Sequence, residues 1–120
     1  MKIPAFLWMH HGLLGFAAVI AGCSASTDGG SATGSTCPAD STLTYASFGQ
    51  AFIANNCLSC HAGRERPTLS SQAAVQATIA EIDSVAAAGP DATNTVMPEG
   101  GSIAVAERQK LGEWLACGAP

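Results

Sequence analysis

Cys57-Leu58-Ser59-Cys60-His61, residues 57–61 of a 120-residue chain, is the stretch on which the reading turns. Two thiols three positions apart reach the two vinyl-derived carbons on one edge of a haem, and the histidine after the second thiol reaches the iron from one face. This is the attachment pattern of c-type haem. A bare cysteine pair at this spacing would be open to zinc or to thiol-disulfide exchange. An exchange dithiol belongs beside a βαβ pattern, which the chain does not show. A structural zinc needs four ligands, whereas Cys57, Cys60 and His61 offer three crowded together with any fourth distant. The spacing predicts one covalent haem c on Cys57 and Cys60, with His61 as an iron ligand.

Downstream lies the turn-rich stretch Thr95-Val96-Met97-Pro98-Glu99-Gly100-Gly101. Beyond residue 22 the chain holds one histidine, His61, and one methionine, Met97. Methionine is also an adaptable core filler. Pro98, however, restricts the backbone before it, and the glycines allow tight passage, so Met97 is expected as the sixth ligand. The alternatives are an open site or Lys110. A thioether favours ferrous iron relative to a second imidazole, which predicts a comparatively high potential and an occupied sixth position. One-electron transfer is the expected use. Its rival is a haem-based sensor or small-ligand-binding module in which Met97 is displaced.

Upstream, residues 1–22 combine a positive start at Lys2, an apolar run from Gly12 to Ala21 and small residues before Cys23, the pattern of a secretion signal. The run is short for a membrane span. Ile20-Ala21-Gly22-Cys23 resembles the lipobox of bacterial lipoproteins, which implies a signal peptide over 1–22 and lipidation at Cys23. Ser24, rather than Asp, after that cysteine leans toward the outer membrane if the source is Gram-negative, with the protein facing the periplasm. Residues 23–36, rich in Ser, Gly, Thr and Ala, read as a flexible tether, leaving 37–120 as the working domain. Without residues 1–22, the four basic residues Arg64, Arg66, Arg108 and Lys110 face nine acids, a net of −5. That balance argues against nucleic acid as a partner.

The domain reads as all-α. Residues 44–55 form a first helix, with Thr44 as cap and Tyr45, Phe48 and Phe52 on one face. Residues 71–88 form a second, with Val75, Ile79, Ile82 and Ala86 as its stripe and Gly89-Pro90 as its stop. A third, over 104–116, turns Leu111, Trp114 and Leu115 inward and ends before Gly118. Its Ala104 cap has no side-chain acceptor, so fraying or a start shifted toward Ser102 is expected. The aromatic residues beyond the signal, Tyr45, Phe48, Phe52 and Trp114, all fall on the first and last helices, which predicts that these two cross. Crossing would bring Cys37 and Cys117 together as a disulfide; two free or intermolecular thiols are the alternative.

Phe52 ahead of the Cys57–His61 motif, then Val96-Met97-Pro98, then Leu111-x-x-Trp114-Leu115, is an order that resembles a small class I bacterial cytochrome c over residues 43–117. The resemblance implies a minimal fold of about three helices around one haem, with thioethers at Cys57 and Cys60, His61 proximal and Met97 distal. It also implies that Phe52 packs against Leu111 and Trp114 at the helix crossing. The Pro67 carbonyl is the candidate acceptor for the far ring nitrogen of His61, an ordinary loop turn being the other reading. Only 35 residues separate His61 from Met97, so the intervening fold should be short and the haem edge exposed. The implied role is electron carriage between redox proteins rather than catalysis, alone or as a subunit of an oxidase or dehydrogenase assembly.

Overall fold

The computed structural model describes residues 29–120. The expected signal peptide over 1–22, the lipidation at Cys23 and the first part of the tether lie outside the described residues.

Helices begin where a side chain takes over an orphan backbone donor. Thr44 Oγ1 accepts from the Ser47 N–H at 3.0 Å while Ser47 Oγ accepts from the Thr44 N–H at 2.9 Å, a closed capping box. From it a π-helical turn, Tyr45–Gly49, runs into α1, Gln50–Asn56. Gly49 is buried face-on to Trp114: a Cβ there would overlap the indole ring, so the close approach requires glycine. Cys57 leaves helical geometry (φ −121°), and a single turn, α2, Leu58–His61, follows.

The helix expected over 71–88 is two. Ser71 Oγ caps α3, Gln72–Gln76, by accepting from the Ala74 N–H at 3.2 Å. The run then breaks at Thr78 (φ −130°), whose hydroxyl donates back to the carbonyls of Ala74 at 2.9 Å and Val75 at 3.3 Å. Such back-bonding competes with the helical ladder. The chain resumes as α4, Ile79–Ala86, and stops two residues before the expected end. Ala88 instead pairs with Thr93 in an isolated antiparallel bridge around Gly89-Pro90. Val75, Ile82 and Ala86 are buried as the stripe predicts, and Ile79 packs partly buried against them.

The last helix, α5, Val105–Ala116, starts with no side-chain cap at Ala104, and its start does not move to Ser102. Its end is more firmly made. Gly118, at φ 87°, donates to the Leu115 carbonyl at 2.9 Å, and the Ala119 N–H donates to Trp114 at 3.0 Å, closing a Schellman turn. Ala119 is itself buried, and its carbonyl accepts from the side-chain amides of Gln72 and Gln76 at 3.0 and 3.1 Å. The C-terminus is thereby fastened to α3.

Leu111, Trp114 and Leu115 form the centre of one core with Phe52, Ile53, Val75, Ile82 and Ala86. The rings that meet Trp114 are Phe48, edge-on at 5.9 Å, and Tyr45 at 6.3 Å, while Phe52 stacks at 5.3 Å on Phe48. The first and last helices thus meet through aromatic side chains. Cys37 and Cys117 are joined by a disulfide across 80 residues of sequence. The described residues contain no strand, in agreement with an all-α class. No helix among them is long and apolar enough to cross a membrane.

Residues 31–35, assigned by composition to the tether, lie against the body. Thr33 is fully buried, its N–H and Oγ1 donating to the two Asp83 carboxylate oxygens at 2.8 and 2.6 Å. Ser31 and Asn94 exchange hydrogen bonds at 3.2 and 2.7 Å, and Ser35 Oγ donates to the Ala88 carbonyl at 3.3 Å. Low hydrophobicity removes the usual driving force for docking, but short hydroxyl side chains supply directional bonds instead.

Candidate functional site

Beside the core a cavity of about 230 Å³ opens between α1, α4 and the loop before α5. Phe52, Leu69, Ile82, Val85 and Ile103 make its walls largely apolar, and Cys57, His61, Pro67 and Met97 also line it. Four of the residues singled out for a haem site, from three separate stretches of chain, therefore line one cavity with Phe52. Leu111 and Trp114 lie in the same buried cluster as Phe52.

His61 is oriented by two bonds. Its carbonyl accepts from the Leu69 N–H at 2.8 Å, and its ring Nδ1 lies 2.7 Å from the Pro67 carbonyl oxygen. A carbonyl only accepts, so this bond forms when Nδ1 carries the proton, and in the neutral ring that leaves the lone pair on Nε2. The Pro67 carbonyl thus stands within hydrogen-bond reach of the ring, as the first of its two readings expects. A bond that fixes the tautomer and ring orientation is how a histidine is prepared as a ligand. The closeness of Pro67 to His61 in sequence is no obstacle, since residues 62–66 turn back with Gly63 in the left-handed region at φ 132°.

Cys57 is a free thiol, and burial pushes its pKa up to about 11. It is a neutral, poorly nucleophilic sulfur at ordinary pH. Cys60, on the same turn as His61, is disulfide-bonded. That state is incompatible with a thioether at the same sulfur, so attachment of a porphyrin there requires Cys60 to be reduced first. Among the described residues no three His, Cys, Asp or Glu side chains gather into a group that could hold a metal ion.

The donor set fits an iron porphyrin. One imidazole nitrogen is freed by its neighbour's bond, one thioether lines the same cavity, and most of the lining is apolar, with Asn56, Arg66 and Glu81 as its polar members.

Arg108 was not legible as part of this region beyond its charge. It is buried on α5, and its Nη1 donates to the Met97 carbonyl at 2.8 Å. The signal for it was its register: Arg108, Leu111 and Leu115 fall on one helical face.

No protein-family model matches the chain, and no curated protein or solved structure does either.

Proposed function

We propose that this chain is a small one-electron carrier of the class I cytochrome c type, in which Cys57 and Cys60 would attach haem c and His61 and Met97 would be its iron ligands. The observation that carries the reading is the His61 Nδ1 bond to Pro67 O at 2.7 Å within a cavity that Cys57 and Met97 also line. When bound, the haem supplies reversible ferric–ferrous exchange. The residues do the rest. His61 presents Nε2 in a fixed orientation, Met97 offers a soft donor that favours the lower charge state, and Phe52, Ile82 and Val85 keep water from the wall.

The export signal, the lipid anchor at Cys23 and a periplasm-facing, membrane-held location complete the proposal from the sequence motifs. Residues 29–30 and the chain before them link that anchor to the strap at Ser31 and Thr33. Donor and acceptor would be redox proteins, with no bond of a substrate made or broken. The reading rests on motif residues and cavity geometry, not on any relative.

The test is the mass and visible spectrum of the full chain produced in a host that attaches c-type haem. A mature polypeptide carrying one porphyrin that survives denaturation is expected, and Cys57→Ser with Cys60→Ser should abolish it. An unmodified mass with no porphyrin absorption sinks the proposal.

A further inference from the structure

Met97 is held at both ends of its residue. Its N–H donates to the Val85 carbonyl at 2.9 Å, and its carbonyl accepts from Arg108 Nη1 at 2.8 Å. The same nitrogen donates to Ala86 O at 2.7 Å and to Asn94 O at 2.8 Å. One amino group with two hydrogens therefore serves three carbonyls, at the end of α4, just past the Ala88–Thr93 bridge, and on the loop that bears the thioether.

Arg108 is only 2% exposed, and no acceptor among the described residues reaches its Nε. Keeping a guanidinium in such a place is costly, and desolvation lowers its pKa accordingly. An apolar side chain of similar volume would fill the same space without that cost. What an apolar side chain cannot do is hold three carbonyls at once. Residues 94–101 have no helix or strand to hold them; Asn94 is also fixed by its N–H bond to Ala87 O and its side-chain bonds to Ser31 and Asp83, whereas the Met97 residue has only the Val85 and Arg108 bonds.

We infer that Arg108 is the positioning residue for Met97, fixing the loop backbone so that the thioether is kept at the cavity wall opposite competition from outside ligands. The inference rests on the haem reading above. A loop freed from Arg108 spends more time away from the site, and an external ligand then binds more tightly in proportion to the open fraction.

The experiment uses the full-length holoprotein, wild type and Arg108→Met, titrated in the ferric state with imidazole at fixed pH while the methionine-to-iron charge-transfer band is followed. Loss of hydrogen bonds from a charged donor should raise the apparent imidazole affinity by about tenfold and weaken the band before any imidazole is added. Arg108→Lys should fall between the two, because an ammonium is a point donor and not a planar fork. If Arg108→Met yields no holoprotein, Arg108→Lys decides, and an affinity at the wild-type level overturns the inference. Val75→Ala, in the core away from the cavity, separates positioning from general loosening. It should lower the denaturant midpoint yet leave imidazole affinity unchanged. If Val75→Ala raises the affinity as much as the Arg108 variants do, Arg108 is merely structural and the inference fails. A wild-type chain with covalent porphyrin but no charge-transfer band breaks the Met97 assignment and this inference with it. A wild-type band with unmoved variants breaks the inference alone.

Discussion

At the seam between the first and last helices, several independent devices act on the same few residues. Trp114 meets Tyr45 and Phe48, Gly49 lets the indole close in, the Cys37–Cys117 disulfide ties the flanks, and a Schellman turn at Gly118 ends α5. On the cavity side, by contrast, each residue is held by two directional bonds: His61 by Leu69 and Pro67, Met97 by Val85 and Arg108. The seam is redundant and apolar; the cavity wall is sparse and directional. The difference teaches where stability and where function reside. Redundant apolar contacts resist any one loss, whereas a directional bond sets the orientation of one side chain and little else.

The largest expected effect is nonetheless at the seam, because Trp114 is the one ring that Tyr45, Phe48 and Gly49 all meet. Trp114→Ala removes a fully buried ring and should cost about 3–5 kcal/mol in denaturant unfolding. A loss under about 1 kcal/mol, well below that range, would show that the seam does not dominate the fold. Next, Cys37→Ser with Cys117→Ser opens a cross-link spanning 80 residues and should lower stability by about 2–4 kcal/mol without changing the helical far-ultraviolet signal. An unchanged unfolding midpoint would mean that the aromatic contacts already suffice.

Cys57 extends the comparison to the cavity in the chain prepared without haem. Its thiol is neutral in the fold up to about 11, above the ordinary value of 9.0, because burial penalises the thiolate. Below pH 9 both folded and unfolded chains keep the proton, and the contribution to stability is fully present. As pH rises from 9 to 11 the unfolded chain releases its proton first, so stability falls, by up to about 2 kcal/mol. Unfolding midpoints measured across that window, with Cys57→Ala as the flat control, check the slope. A wild type as flat as the control would mean that the cavity wall is wet.

The seam was also the more legible region. Helical spacing alone selects Leu111, Trp114 and Leu115, and Thr44 is a cap by residue type, because these signals are local. Thr78 was less legible: its hydroxyl reads as a tolerable helix residue until the back-bond to Ala74 is known. Thr33 depends on Asp83, fifty positions away, so composition assigns it to a tether. The candidate site divides the same way. Cys57 and His61, which line the cavity, announce themselves by spacing, while Arg108 is hidden because its partners are backbone carbonyls that any residue types could supply.

The smallest effect concerns the ring of His61, and it bears most directly on what the cavity is for. Its bond to the Pro67 carbonyl is a neutral hydrogen bond, worth about 1 kcal/mol net, so it changes global stability little. The same energy is enough to favour one tautomer of the neutral imidazole by several-fold, since only Nδ1–H can donate to a carbonyl. Nitrogen-resolved NMR of the haem-free chain should find the proton mainly on Nδ1, leaving Nε2 unprotonated before any metal arrives. A ring protonated mainly on Nε2 would mean that Pro67 does not orient it. His61 would then be an ordinary loop histidine, and the contrast between a wall that places one atom and a seam that merely resists unfolding would lose its clearest case.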